Sequence, residues 1–344
     1  MTAFAGLRDR FRLLAEALFE DMGPGISLAV ARGGEVVWTV TRGMACVHSG
    51  RPVTDRTRFD TGSASKVVTG GALLEGIRQG RLDLNHRVGR YLPQFAAHPG
   101  LRGLTLQHLN THRSGLPDYL EFMEGAALSA LDLRELPQLL LDRVPSELEV
   151  GVFRYSNSNY ALLALVLEEV FACGLLDVPT PGDPARGLGA GMADHDREGR
   201  FTLTREDGAD CARGYRSDTL SFHEAEPWEL RCGIYGDGGL WSTPSGLALF
   251  LDHLLTDPTT PTLTQAFEAS VVGDLPPYAF GLMREEPAGG SALYLHEGAW
   301  PGFSSLVGWE ASQGVALAVC SNLAYVPMGA FAHTFRRELA RRGG

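Results

Sequence analysis

The stretch Asp60-Thr61-Gly62-Ser63-Ala64-Ser65-Lys66 carries the feature around which the rest of this chain is organised. It ends on Lys66, the single lysine among the thirty Lys and Arg residues of a 344-residue chain. The apolar run that follows, Val67–Arg78, has helical periodicity, and Gly80 is placed to end the helix. The stretch therefore predicts a turn that leads directly into a helix, with Ser63 and Lys66 near its start.

A lone lysine in a chain that otherwise uses arginine indicates a need for an amine. A guanidinium stays protonated, whereas a buried amine can lose its proton and act as a base. Ser63 and Lys66 are three residues apart, so a helix places them on one face, and the helix N-terminus stabilises a developing alkoxide. The motif predicts Ser63 as a nucleophile with Lys66 as its proton acceptor. The alternatives are a capped helix with a surface lysine, and a lysine that survived by chance.

Composition limits the function classes. Hydrophobic residues make up 44% and charged residues 21%, so the chain can bury a sizeable core. The net charge of -11 argues against a nucleic-acid surface and against a polybasic membrane anchor. Residues 1–20 lack the unbroken apolar core of a signal peptide, and no apolar stretch is long enough to span a bilayer. We therefore expect a soluble, cytoplasmic protein, with a removed leader left open.

The cysteines are five in number and far apart, and they never occur as Cys-x-x-Cys. This spacing fits neither a disulfide scaffold nor a metal site, and it predicts free thiols in a reducing compartment. The five are Cys46, Cys173, Cys211, Cys232 and Cys320.

Periodicity predicts strands near both ends of the chain and helices between them. A helix is expected over residues 3–20, and two strands, Ile26–Ala31 and Val36–Thr41, flank a Gly33-Gly34 hairpin turn. The predicted central and C-terminal helices are Leu104–His112 with Thr105 as N-cap, Ala126–Leu141, Tyr160–Val170, Pro244–Leu255 with Thr243 as N-cap, and Ala330–Arg342. The predicted late strands are Ala292–His296, Phe303–Trp309 and Val315–Ser321, and residues 174–200 are expected to form a loop.

This order predicts an α+β chain with a sheet built from both termini and a helical insertion between them. We expect residues 1–80 and 225–344 to form the sheet domain and residues 81–224 to form the mainly helical inserted domain. A cleft between two such parts is a usual place for a ligand site.

Two further motifs hold side chains suited to hydrolysis. Tyr155-Ser156-Asn157 precedes an apolar helix; Tyr155 can relay protons, and Asn157 can donate to and accept from a substrate amide or ester. His296-Glu297-Gly298 follows a strand, and Gly298 permits close backbone approach, so that the next amide, of Ala299, can join the Ser63 amide in an oxyanion hole. Taken singly, the first motif also fits a helix cap and the second a glycine turn.

Together the motifs resemble a known superfamily. Ser-x-x-Lys near the start, Tyr-x-Asn mid-chain and His-x-Gly on a late strand are similar to the serine β-lactamase and penicillin-binding-protein superfamily. The class C β-lactamase-like branch, with family VIII carboxylesterases, D-aminopeptidases and DD-carboxypeptidase-like hydrolases, is the most similar. Further stretches that resemble this branch are 109–117, 212–215 and 236–243.

The resemblance implies a β-lactamase/transpeptidase-like fold, an antiparallel sheet flanked by terminal helices with a mainly helical domain inserted. It also implies a serine hydrolase that forms an acyl-enzyme, with Ser63 attacking a carbonyl while Lys66 and Tyr155 remove its proton. The amides of Ser63 and Ala299 would hold the oxyanion, and Asn157 would orient the acyl group. No metal or organic cofactor is implied.

The remaining site residues follow from the same resemblance. Tyr155 or His296 would assist the leaving group or the deacylating water, and His296 and Gly298 would bind substrate. Tyr119 and Trp300 are candidates for the pocket wall, although aromatic residues are more often part of a core.

Two departures from the superfamily pattern bear on the substrate. The Lys-Thr-Gly of class C β-lactamases is His-Glu-Gly here, so an imidazole replaces a fixed cation, and the helical stretch after Val170 is shortened. We therefore expect an esterase or a D-aminoacyl or DD-peptidase-like hydrolase of small esters, amides or peptides. The alternatives are a β-lactamase with weak penicillin and cephalosporin hydrolysis, and a non-catalytic penicillin-recognising protein. The oligomeric state is left open.

Overall fold

The structure is a computed structural model of a mixed helix and sheet protein. It describes residues 4–123, 127, 130–144, 147–180, 183–188, 201–202, 210–218, 221–225, 233–256, 266–268, 270, 277–286 and 291–343.

Eight α-helices have both ends defined within these ranges, and two of them lie at the ends of the chain. They are α1 (Ala5–Leu18), α2 (Ser65–Arg78), α3 (Pro93–Ala97), α4 (Leu106–Asn110), α5 (Leu136–Leu141), α6 (Asn157–Phe171), α7 (Pro244–Thr256) and α8 (Met328–Gly343).

The strands cluster at the two ends of the chain. They are β1 (Ile26–Arg32), β2 (Glu35–Arg42), β3 (Met44–Cys46), β4 (Arg51–Pro52), β5 (Phe59–Asp60), β6 (Pro179–Thr180), β7 (Asp183–Gly187), β8 (Tyr215–Ser217), β9 (Phe222–Glu224), β10 (Trp241–Ser242), β11 (Tyr278–Ala279), β12 (Leu282–Glu285), β13 (Leu293–Trp300), β14 (Phe303–Glu310) and β15 (Val315–Ser321).

The main sheet has seven antiparallel strands in the order β11-β12-β13-β14-β15-β1-β2. The N-terminal hairpin joins the C-terminal strands through β1 and β15, whose register pairs Ile26 with Ser321. The predicted fold class is therefore confirmed, with one antiparallel sheet built from both ends of the chain. The division into two domains at residues 80–81 and 224–225 stays a prediction.

Side-chain size differs between the two faces of this sheet. On β1, Leu28 and Val30 pack with the terminal helices, where the rings of Phe11 on α1 and Phe331 on α8 stack 6.1 Å apart. On the other face Ala29 lies in the larger core with α2 and α7. Because successive strand residues point to opposite faces, this alternation lets α7 lie close to the sheet while the terminal helices cover bulkier side chains.

The helical part contains one confirmed cap and one partly wrong helix prediction. Thr105 caps α4, accepting from the His108 amide at 3.4 Å. The predicted helix Ala126–Leu141 is confirmed over Leu136–Leu141 and wrong at residues 131–135, where the Asp132 side chain accepts from the Arg134 amide at 2.8 Å and begins a 3-10 turn that leads into α5. Residues 124–126 and 128–129 lie outside the described ranges.

The loop predicted over residues 174–200 contains short secondary structure. A 3-10 turn at Leu175–Asp177 precedes β6, and β6 pairs with β7 through Thr180 and Asp183. The prediction is therefore wrong over this part. The strands are too short to show an alternation of apolar and polar residues, and the stretch is rich in glycine and proline, which are typical of loops. Residues 181–182 and 189–200 lie outside the described ranges.

Two smaller predictions concern thiols and membrane spans. The described cysteines, Cys46, Cys173, Cys211 and Cys320, are free thiols, and Cys232 lies outside the described ranges. Of the helices that the structure describes, none has both the length and the apolar character required to traverse a bilayer.

Candidate active site

Ser63 lies in a 3-10 turn, Gly62–Ala64, that continues without a break into α2. Contacts from distant segments hold this turn. Thr61 Oγ1 donates to the Leu240 carbonyl at 2.9 Å, and Ser65 Oγ donates to the Gly62 carbonyl at 2.7 Å. The helix begins at Ser65, directly after this turn, and Ser63 lies at its N-terminal end.

The end of β13 lies against the Ser63 turn. Pairing between β12 and β13 covers Leu293 to Leu295, while β13 continues to Trp300 with β14 on its other side. A Cβ on Gly298 would lie 2.4 Å from the Thr61 carbonyl oxygen and 2.9 Å from the Ala64 amide nitrogen. Only glycine permits this approach, which brings the backbone of Ala299 beside the nucleophile turn.

Lys66 is fully buried on the first turn of α2. Its Nζ lies 2.7 Å from Asn157 Oδ1, 2.6 Å from the main-chain oxygen of Asp237 and 3.2 Å from Ser63 Oγ. The same amine lies 4.9 Å from the centre of the Tyr155 ring. Ser63, Lys66, Tyr155 and Asn157 are thus brought together as the motifs predict.

Asn157 is the first residue of α6, and its side chain is held on both sides. While Oδ1 accepts from Lys66, Nδ2 donates to Asp118 Oδ2 at 2.8 Å, and the Asn157 backbone amide donates to the same oxygen at 2.9 Å. Asp118 therefore fixes which end of the amide faces the lysine. Orientation of the acyl group by Asn157 stays a prediction.

His296 connects the third motif to Tyr155. The Gly281 carbonyl contacts His296 Nδ1, so Nδ1 carries the proton and leaves Nε2 as an acceptor. The Tyr155 hydroxyl lies 3.4 Å from that Nε2. Burial, reinforced by the charge of Lys66, lowers the pKa of His296 from 6.5 to about 3, which makes the imidazole neutral at physiological pH.

His112 is a site residue that the motifs did not single out. Its buried ring lies 4.3 Å from that of Tyr155 and 4.6 Å from that of Tyr278, centre to centre. Its Nδ1 accepts from the Ser156 amide at 3.2 Å. Burial, followed by the charges of Lys66 and His296, lowers its pKa well below 6.5. A neutral aromatic support therefore lies behind Tyr155.

A cleft of about 560 Å³, counting solvent at its mouth, opens beside Ser63. The residues that line it include Asn157, Tyr119, Trp300 and the two buried acids Asp60 and Asp237. The hydroxyl of Tyr119 donates to Asp237 Oδ2 at 3.0 Å. The expectation that Tyr119 and Trp300 contribute to the pocket wall thus agrees with their position.

The carboxyls of Asp60 and Asp237 were not recognised as site residues from the sequence. Asp60 lies in the Ser63 stretch, and Asp237 lies in the stretch 236–243 that resembles the superfamily. Burial raises the pKa of Asp60 to about 7, with the nearby charge of Asp237 adding to the effect. Burial also raises the pKa of Asp237, while the charge of Lys66 opposes that rise. For Asp237, its position between Gly236 and Gly238 was the available signal.

The potential for metal binding is limited in the described ranges. No group of three or more His, Cys, Asp or Glu side chains is arranged there to hold a metal ion.

Comparison with known proteins gives a family match over nearly the whole chain. The family model described as Beta-lactamase matches residues 12–341. A penicillin-binding protein of Bacillus subtilis (strain 168) is 29% identical over 317 residues, which cover 85% of this chain and 67% of that protein. A D-aminopeptidase of Brucella ovis is 30% identical over 290 residues, which cover 82% of this chain and 53% of that protein. The chain thus spans about half the length of this D-aminopeptidase.

Solved structures share the fold. The octameric penicillin-binding protein homologue from Pyrococcus abyssi aligns with a TM-score of 0.75 at 22% identity, over 98% of this chain and 77% of that one. D-amino acid amidase from Ochrobactrum anthropi SV3 aligns with a TM-score of 0.77 at 19% identity, over 98% of both chains. The resemblance stated from the three motifs is therefore confirmed at the level of family and fold.

Proposed function

The chain belongs to the beta-lactamase family, and on that basis we propose that it is a serine hydrolase that cleaves a small ester or amide through an acyl-enzyme. The arrangement around Lys66 carries this proposal. A neutral amine has two N–H donors and one lone pair. The two shortest contacts of Nζ, to Asn157 Oδ1 and the Asp237 main-chain oxygen, are both to acceptors and use both donors. The third and longest contact, from Nζ to Ser63 Oγ at 3.2 Å, is the one along which we propose that the Ser63 hydroxyl passes its proton to the unprotonated amine.

The first chemical step follows from this geometry. The Ser63 hydroxyl gives its proton to Lys66 Nζ as Oγ forms a bond to the substrate carbonyl carbon. The protonated amine then has three donors for its three oxygen neighbours. The amides of Ser63 and Ala299 stabilise the oxyanion, as the close approach of β13 to the Ser63 turn supports.

The acyl-enzyme forms and is released by two proton transfers. As the tetrahedral intermediate collapses, the bond to the leaving group breaks, and the leaving oxygen or nitrogen takes up the proton held by Lys66, with the Tyr155 hydroxyl as the relay. Water then attacks the acyl-enzyme, giving its proton back through the same groups, and Ser63 Oγ leaves as a hydroxyl.

His296 orients Tyr155 in this scheme. A neutral imidazole with its proton on Nδ1 accepts from the Tyr155 hydroxyl through Nε2. This arrangement also bears on the substrate. Because burial keeps His296 uncharged, position 296 provides no fixed cation for the carboxylate of a β-lactam. We therefore favour an ester or amide substrate of the D-aminopeptidase kind over efficient antibiotic hydrolysis.

Covalent labelling is the direct test. A fluorophosphonate and a fluorescent penicillin are each incubated with the protein and with its Ser63→Ala variant, and adducts are mapped by mass spectrometry. We expect an adduct on Ser63 from at least one reagent and none in the variant. An adduct elsewhere, or none from either reagent, would contradict the proposal and favour a non-catalytic binding protein.

A turnover panel then identifies the chemistry. We expect turnover of p-nitrophenyl esters or D-aminoacyl anilides, and slower turnover of nitrocefin. D-Ala-D-Ala peptides test the peptidase alternative. Nitrocefin turnover faster than that of every ester and anilide would make a β-lactamase the better assignment.

A further inference from the structure

A carboxylate oxygen without a hydrogen-bond partner lies in the wall of the Ser63 cleft. Asp237 is only 5% exposed, and its Oδ2 accepts from the Tyr119 hydroxyl at 3.0 Å. The other oxygen, Oδ1, is buried and has no hydrogen-bond partner. A buried acceptor left unsatisfied destabilises the folded state, and such an atom in a binding cleft indicates a donor supplied by a ligand.

A second carboxyl faces the same cleft. Asp60 is 3% exposed, and its Oδ1 accepts from the Gly62 amide at 2.8 Å. Asp60 and Asp237 both line the cleft with Ser63, and the charge of Asp237 adds to the rise in the pKa of Asp60. Burial of two ionised acids in one cleft is unfavourable, and either protonation or a nearby positive group relieves the cost.

The amine of Lys66 does not form a hydrogen bond with the side-chain carboxyl of Asp60 or of Asp237. It contacts the main-chain oxygen of Asp237, and its other partners are Ser63 and Asn157. Asp237 thus lines the cleft with one carboxyl oxygen, Oδ1, that is left as an acceptor without a hydrogen-bond partner.

We propose that Asp237, supported by Asp60, forms a subsite for a protonated amine on the acyl part of the substrate. This inference rests on the proposed function and names its substrate class, aminoacyl esters and amides. The ammonium donates to Asp237 Oδ1, while the scissile carbonyl lies at Ser63. Tyr119 holds the Asp237 carboxylate in place through Oδ2.

Binding without turnover tests the subsite independently of catalysis. Isothermal titration of the Ser63→Ala protein with D-alaninamide, L-alaninamide and propionamide compares ligands that have or lack the amine. We expect at least one alaninamide to bind at least about tenfold more tightly than propionamide. Equal binding of all three amides overturns the subsite while leaving the acyl-enzyme proposal standing.

Asp237→Asn, made in the Ser63→Ala protein, supplies the residue test. The substitution keeps an acceptor for Tyr119 but removes the charge, so the preference for alaninamide should fall by about tenfold or more. The matched control is Asp252→Asn. Asp252 is also buried with an unpartnered Oδ1, but its Oδ2 accepts from Gly34 in the β1–β2 hairpin. An unchanged preference in Asp237→Asn, or an equal loss in Asp252→Asn, overturns the assignment.

Turnover provides a second reading in the wild-type protein. The ratio of kcat/KM for D-alanine p-nitroanilide to that for propionyl p-nitroanilide should exceed about ten and should fall in Asp237→Asn. If the fluorophosphonate labels Ser63 but this ratio is near one, the subsite is wrong and the hydrolase proposal stands. If neither labelling nor turnover occurs while alaninamide still binds selectively, the hydrolase proposal fails and the amine subsite stands.

Discussion

Two groups of side chains around Ser63 differ in charge and in how they are built, and of the two the acidic group lines the cleft. We call Lys66, Tyr155 and His296 the basic wall and Asp60 and Asp237 the acidic wall. The groups of the basic wall contact one another, and its histidine is uncharged because burial lowers its pKa to about 3. The acidic wall keeps a buried oxygen without a partner. The difference indicates that the basic wall activates the nucleophile and the acidic wall selects the substrate.

Removal of the nucleophile has the largest expected effect on this comparison. Ser63→Ala should lower kcat by about 10³-fold or more, because no other group can form the acyl-enzyme. Steady-state hydrolysis of a p-nitrophenyl ester provides the measurement. Since the acidic wall is untouched, amine binding should persist in the same variant. A variant that keeps most of its turnover would show that the basic wall serves another residue.

The basic wall should no longer activate Ser63 when its amine is replaced by a group that cannot lose a proton. Lys66→Arg keeps the positive charge but removes the base, so kcat/KM should fall about a hundredfold or more. The Ser63 labelling rate by fluorophosphonate gives the same comparison with fluoride as the leaving group, which departs without being protonated. Near-normal rates in both assays would mean that Lys66 contributes charge rather than proton transfer.

Tyr155→Phe separates the role of the Tyr155 hydroxyl from that of its ring within the basic wall. The ring that contacts Lys66 remains, and only the hydroxyl near His296 is lost. We expect kcat to fall about tenfold to a hundredfold, because proton relay is removed while the burial of Lys66 is kept. A change in KM alone, with kcat intact, would place Tyr155 in substrate binding instead.

The pH dependence tests whether His296 is neutral. Because burial holds its pKa near 3, His296 has the same protonation state throughout pH 5 to 8 and should contribute no step to the kcat/KM profile there. His296→Asn should therefore lower activity, by about tenfold, without changing the shape of the profile in this range. Loss of an inflection near pH 6.5 in the variant would show that the imidazole titrates in the working enzyme.

The acidic wall should destabilise the protein in a pH-dependent way, the smallest of the expected effects. The pKa of Asp60 is raised from 3.8 to about 7, so between these pH values the folded state holds a proton that the unfolded state has lost. Stability attributable to Asp60 is therefore highest at low pH and decreases as pH rises towards 7.

Asp60→Asn removes this penalty and keeps an acceptor for the Gly62 amide. At pH 8 we expect the free energy of unfolding to increase by about 1 to 4 kcal/mol, with little change at pH 4.5. Urea unfolding of both proteins at the two pH values measures the difference. An equal change at both pH values would mean that packing, rather than charge, governs this position.

Sequence rules that depend only on neighbouring residues predicted much of the secondary structure of this chain. Helical spacing identified the Ser63–Lys66 pair, paired glycines identified the β1–β2 hairpin, and Thr105 and Thr243 were found as helix caps, because all of these depend on neighbours within a few residues. The order of strands and helices gave the single sheet built from both termini. The broken helix at Asp132 and the short hairpin after Leu175 were missed, because they give too few residues for a period.

Long-range contacts gave the site its chemistry. Lys66 meets Asn157, 91 residues away, and the main chain of Asp237, 171 residues away. No local pattern specifies the neutral state of His296, because that state requires burial. The same holds for the oxygen of Asp237 that has no hydrogen-bond partner, because its surroundings come from separate elements. Protonation and hydrogen-bond satisfaction depend on everything within a few ångströms in space, and folding alone determines which residues those are.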